Sequence, residues 1–299
     1  MYLGADALYS IWIRRRMAAV GARHASIEPF THNPNGHPAL LLLHGFADGP
    51  SVFSRLAPLL AQAGIAVRAL HLSGSGVTPN KMAGTTLSLW RADIDREIAA
   101  LRTNTPDRPI WLVGHSLGGT LAFDAALRPE NAIAGLVLLA PLVEPSNVRS
   151  PILTSRQWFR ILDKLLIISN VVESRLPADL HDPEARSTYR TDKFIHRDIY
   201  RSLFATIDAV RPRAANWNGP LLVVLAPDDQ IVDAAATRQF FAEAVNAAPA
   251  ELVEQPGAGH VLPLEADHPA LAERITQFVR HAPPALTPPP ADRVQFPHD

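Results

Sequence analysis

The sequence predicts an α/β fold: a mostly parallel central sheet flanked by helices, with a helical segment inserted before the strand at residues 221–225. Three observations predict it. From residue 39 onward, short apolar runs alternate with longer amphipathic ones, as parallel strands joined by crossover helices require. The rhythm stops between residues 141 and 213 and then resumes, so the sheet continues beyond an insertion. Finally, Gly114-His115-Ser116-Leu117-Gly118 lies where a strand-like run meets a helix-like one.

The elements follow in order. Residues 39–43 (Ala-Leu-Leu-Leu-Leu) read as a buried strand stopped by His44-Gly45. Residues 51–63 have helical periodicity through Phe53, Leu56, Leu59 and Leu60, with Ser51 as cap and Gly64 as terminator. Residues 65–72 form the next strand and 87–101 the next helix. A strand at 109–113, a helix at 117–127 and a strand at 132–139 complete the first half. The insertion holds helical stretches at 154–168 and 198–210 around a charged region at 183–190, with no clear buried strand. Strands at 221–225 and 251–254 alternate with helices at 234–245 and 269–281. The expected organisation is an N-terminal helical segment (1–26), a core in two parts (27–141 and 214–282), a helical lid (142–213) and a Pro-rich tail (283–299) without order.

Composition narrows the function classes. The 299 residues carry 28 basic and 29 acidic side chains, a net charge of −1. No long-range field favours nucleic acid or a polyanion. There is no cysteine, which removes disulfides, thiolate metal sites and a thiol nucleophile together. In residues 1–16 an apolar stretch precedes Arg14-Arg15-Arg16, the reverse of the order in a secretory signal, and it is too short to span a bilayer. The expectation is a cytoplasmic protein whose first helix packs on the domain. Tyr2, Tyr9 and Trp12 beside the three arginines also suit weak contact with a membrane interface.

The glycine-flanked serine carries chemistry. On a sharp strand-to-helix turn, small residues two before and two after the serine let the backbone pass. Here residues 110–113 supply the strand and the small residues of 119–126 supply a helix that can approach the sheet. Ser116 is then a nucleophile at a helix N-terminus, where amides and dipole favour negative charge. The N–H of Leu117 is one expected oxyanion donor, and the N–H of Phe46, in the loop His44-Gly45-Phe46-Ala47-Asp48-Gly49, is the other. His44 precedes the serine and reads as a loop-positioning residue. The strand at 221–225 leads to Asp228 and Asp229, both placed to supply an acid. Pro256-Gly257-Ala258-Gly259-His260 follows the next strand, and its glycines let the loop carry His260 back over the sheet as general base. His268 starts a helix and reads as a capping or surface residue. No histidine pair has ligand spacing, so no metal is implied.

These motifs, in this order, resemble the α/β-hydrolase superfamily from about residue 39 to residue 282. In many members the acid strand ends Gly-x-x-Asp-x-(apolar)-Val; on that pattern Ala226 takes the glycine position and Asp229 the acid position. Residues 70–79, Trp90, Asp93 and the ending at 257–262 are most similar to the monoacylglycerol-lipase and carboxylesterase group. The resemblance implies a serine attack on a small-molecule ester, an acyl-enzyme, release by water and no cofactor. Dehalogenases and epoxide hydrolases of this fold carry aspartate at the elbow, so Ser116 excludes them. Acyl transfer, thioester or C–C hydrolysis would use the same residues, and a non-catalytic binding module would not need all three. In the inserted helix, Trp158, Ile161, Leu162, Leu165 and Ile168 recur at helical spacing. That spacing serves core packing equally well. As the wall of an acyl pocket, Trp158, Leu162 and Leu165 would contact substrate.

Overall fold

The computed structural model describes residues 2–20, 24–150, 152–174 and 177–285. Nine strands and ten α-helices are placed among them. The chain opens with α1 (Tyr2–Val20), β1 (Phe30–His32), β2 (Ala39–Leu43), α2 (Leu56–Gln62) and β3 (Ala66–Ala69). Next come α3 (Pro79–Met82), α4 (Leu87–Asn104), β4 (Ile110–His115), α5 (Leu117–Ala126) and β5 (Gly135–Leu139). The inserted segment holds α6 (Ser155–Leu165), β6 (Val171–Glu173), α7 (Pro183–Thr188), β7 (Phe194–His196) and α8 (Arg197–Val210). The core then resumes with β8 (Leu221–Leu225), α9 (Ala234–Glu243), β9 (Ala250–Glu254) and α10 (His268–His281).

Seven strands form one sheet in the order β1-β3-β2-β4-β5-β8-β9. All neighbours are parallel except the edge pair β1–β3. The five residues of β2 are all buried. Leu41 and Leu43 enter the core on one face, with Trp90 and Ile94 of α4 and Leu121 of α5. Leu40 and Leu42 enter the core on the other, with Leu56 and Leu60 of α2 and Ile275 of α10. A strand buried on both faces needs a continuous apolar run, which explains why β2, β5 and β8 show no alternation.

Four details depart from the sequence reading. The region 51–63 is a 3₁₀ turn (Pro50–Phe53) followed by α2, and Ser51 caps neither: Pro50 occupies the first helical position instead. The edge strand β1 is too short to show periodicity. The inserted segment contains the antiparallel pair β6–β7. Helix α8, expected as part of the helical lid, places Ile199, Leu203 and Ile207 in the same core as α5. The expected tail lies outside the described residues beyond Ala285, whose N–H donates to Ala134 O at 2.8 Å. Among the described residues no helix is long and apolar enough to cross a membrane.

Helix α1 is fastened to the inserted segment. The Asp6 carboxylate accepts the N–H groups of Ile167, Ile168 and Ser169 at 2.7, 2.5 and 3.1 Å. Tyr9 donates to Val171 O at 3.4 Å, and Arg16 pairs with Glu173 at 3.1 Å.

Candidate active site

The C-terminal edge of the sheet gathers the site. At the end of β4, Ser116 adopts φ 54°, ψ −122° before α5 begins. A non-glycine residue in that region costs on the order of 1–3 kcal/mol. The surroundings hold it there: Ser116 N–H donates to Leu139 O at 2.9 Å, while Ser116 O accepts from Gly119 at 2.9 Å and Leu142 at 3.0 Å. The flanking glycines follow from close approach. A Cβ on Gly114 would collide with the backbone of Gly118, and one on Gly118 with the carbonyls of Leu43 and His44. The pattern therefore records backbone contacts between β4, α5 and the end of β2.

The loop after β2 runs directly over the serine. A Cβ on Gly45 would stand 3.1 Å from Ser116 Cβ, and Phe46 lines the same cavity as Ser116. Leu117 is the first residue of α5. His44 orders this loop from beneath. Its Nδ1–H donates to Gly45 O at 3.0 Å and its Nε2 accepts Leu72 N–H at 3.1 Å. Burial pushes its pKa down to about 4, so the ring stays neutral with both nitrogens engaged.

Asp229 and His260 meet at 2.7 Å, Oδ2 to Nδ1. The other carboxylate oxygen accepts Ile231 N–H at 2.7 Å and Val232 N–H at 2.8 Å. Burial raises the Asp229 pKa, but the His260 charge, its hydrogen bond and the two amides outweigh it, leaving the carboxyl below its ordinary value. Asp228 is exposed. His268 is the first residue of α10, and its Nδ1 lies 2.8 Å from Glu265 O.

Ser116 and His260 open together into a cavity of about 560 Å³. Trp158 and Leu162 of α6 line it, and Leu165 does not. The helix ends at Leu165, and Leu166, at φ −85°, ψ 85°, turns inward in its place. Leu165 is left 41% exposed. The sequence reading missed the deeper wall. Phe159, Tyr200 and Phe204 stack there, with Phe159–Phe204 centroids 4.7 Å apart and Phe46–Tyr200 5.0 Å apart. Tyr200, Leu203 and Phe204 follow helical spacing in α8, a signal present in the sequence but indistinguishable from core packing.

A polar patch interrupts the apolar wall. Asp48, from the loop after β2, is buried, and its pKa is pushed up to about 7 by burial, against hydrogen bonds from Gly49 N–H and Tyr189 O–H. His115 Nε2 donates to His260 O at 3.0 Å, which leaves Nδ1 facing Asp48 Oδ2 at 4.0 Å without a hydrogen-bond partner. Burial holds His115 neutral, with its pKa lowered to about 3. Among the described residues no group of three or more His, Cys, Asp or Glu could hold a metal ion.

Comparison with known proteins finds a matching family and similar chains. The family described as serine aminopeptidase, S33, matches residues 34–267. A monoacylglycerol lipase of Mycolicibacterium smegmatis is 26% identical over 270 residues, covering 88% of this chain and 95% of the relative. Two solved structures share the fold. Monoacylglycerol lipase of Paleococcus ferrophilus matches at TM-score 0.71 and 22% identity, over 86% of this chain and all of that one. A soluble variant of monoglyceride lipase from Saccharomyces cerevisiae, solved with a substrate analogue, matches at TM-score 0.73 and 18% identity, over 88% and 96%.

Proposed function

Because the chain belongs to the serine aminopeptidase S33 family of α/β-hydrolases, we propose that it hydrolyses carboxylic esters with an apolar acyl chain through Ser116, His260 and Asp229. The observation that carries this reading is the 2.7 Å contact between His260 and Asp229 on the same cavity as the strained serine. His260 Nε2 takes the Ser116 proton as Oγ bonds to the ester carbonyl carbon. Asp229 holds Nδ1–H and stabilises the imidazolium that forms. The N–H groups of Phe46 and Leu117 receive the oxyanion. The tetrahedral intermediate collapses as the alkoxide leaves with the proton from His260, and the acyl group remains on Oγ. Water, deprotonated by His260, repeats the sequence and releases the acid.

The cavity supports the acyl preference. Leu162 and Phe159 from α6, Leu203 and Phe204 from α8, and Leu142 with Ile231 surround a volume suited to a medium or long chain. Residues 142–213 act as its lid, α6 being the outer wall. The monoacylglycerol lipase relative supports the ester bond as the one cleaved. Exposed apolar side chains include Leu8, Ile11 and Trp12 on α1, and Trp158, Ile161 and Ile167 at or after α6; Trp158 also lines the cavity. Side chains of this kind suit weak contact with a lipid interface.

A p-nitrophenyl ester series measures the claim. The expected kcat/KM rises from acetate to octanoate or beyond and vanishes in Ser116→Ala. Fastest turnover on acetate, declining steadily with length, contradicts a long acyl pocket.

A further inference from the structure

We propose that Asp179, carried by the inserted segment, is a positioning residue that holds the acid loop and the base loop in register. The inference rests on the assignment of Asp229 and His260 just made, and nothing in the glycine-serine or glycine-histidine motifs points to it. Asp179 lies between β6 and α7, outside both core halves, and its side chain is only 2% exposed.

A single oxygen makes the connection. Asp179 Oδ2 accepts Gln230 N–H at 2.9 Å and His260 N–H at 3.2 Å. Gln230 is the chain neighbour of Asp229, so one carboxylate oxygen ties together the backbones of the two residues whose side chains meet at 2.7 Å. Its other oxygen faces Arg149 at 4.0 Å and His181 at 3.7 Å. Arg149 in turn donates to Gln230 Oε1 at 3.0 Å and to Pro177 O at 2.8 Å. The anion is thus buried with partners on both sides, as a buried charge must be.

The base loop is shaped around this residue. Asp179 O accepts Val261 N–H at 3.2 Å. A Cβ on Gly259 would meet Asp179 O at 2.5 Å, so the glycine before His260 is required by the inserted segment, not only by its own turn. Glu265 extends the contact, accepting Gly259 N–H and His181 N–H at 2.8 Å each and Asp182 N–H at 3.0 Å. Residues 179–182 are therefore a fixed strap across the base loop.

The test compares wild type with Asp179→Asn and Asp179→Leu by two readouts. Asparagine keeps a carbonyl oxygen where Oδ2 lies, whereas leucine has a similar shape and no acceptor. The first readout is the downfield proton resonance of the His260–Asp229 hydrogen bond, which needs no substrate. The second is kcat and KM for a p-nitrophenyl ester, on protein with full melting amplitude. The expected result is loss of the resonance in Asp179→Leu, with kcat lower by about 10²-fold and KM within about threefold. Asp179→Asn keeps the resonance, with kcat within about fivefold of wild type. An Asp179→Leu protein with the resonance and kcat of wild type overturns the proposal. If Asp179→Leu does not fold, Asp179→Ala, which also removes the acceptor, must lose the resonance; its retention is equally contradictory. A wild type that shows the resonance and hydrolyses no ester instead refutes the ester reading, and the resonance alone then judges Asp179.

Discussion

Asp48 shows how a single carboxyl can be set by its surroundings. Burial places its folded pKa at about 7, above the roughly 3.9 of an unfolded chain. The folded state therefore binds the proton more tightly, and stability falls as pH rises from about 4 through about 7. Asp48→Asn removes that dependence while keeping an acceptor for Tyr189 O–H. The gain in Tm of this variant over wild type is expected to be larger at pH 8 than at pH 5, measured by thermal melts; an equal gain at both contradicts the raised pKa. At the proposed catalytic residues, Asp229→Asn leaves the imidazole in the wrong tautomer. It is expected to lower kcat by about 10⁴-fold at nearly constant KM, read by steady-state kinetics.

At the scale of elements, the elbow depends on how closely β4, α5 and the end of β2 approach. Gly118→Ala sets a methyl against the carbonyls of Leu43 and His44 and should destabilise the fold by about 1–3 kcal/mol, seen as a lower midpoint in urea. The strands most exposed to this constraint were the most legible. β2, β5 and β8 are uninterrupted apolar runs because both faces are buried, and α5 was readable because small residues let it lie on the sheet. The acid was narrower: position alone admits Asp228 or Asp229, the family resemblance selects Asp229, and in the structure Asp229 meets His260 while Asp228 is exposed. Less legible were contacts made across the chain. β1, β6 and β7 are too short to carry a period. Leu165 and Leu166 exchange roles because the helix ends between them, and no spacing argument places a helix end to one residue. Asp179 has no motif, since its partners are backbone amides on loops about fifty and eighty residues away.

Over the whole molecule, the inserted segment is packed unevenly. α8 is core, and residues 179–182 are strapped to the base loop. α6 has no buried residue, and its C-terminal end is held by α1 through Asp6. Asp6→Ala should therefore speed hydrogen exchange at Ile167, Ile168 and Ser169 severalfold while leaving β4 and β5 protected; unchanged exchange at those amides would show that α1 does not restrain the lid. Every proposed step begins at Ser116 as the nucleophile. Labelling with a fluorophosphonate probe followed by peptide mass spectrometry tests it most directly. The predicted result is a single adduct on Ser116, absent from Ser116→Ala; a folded wild type that takes up no probe, or carries it on another residue, contradicts it.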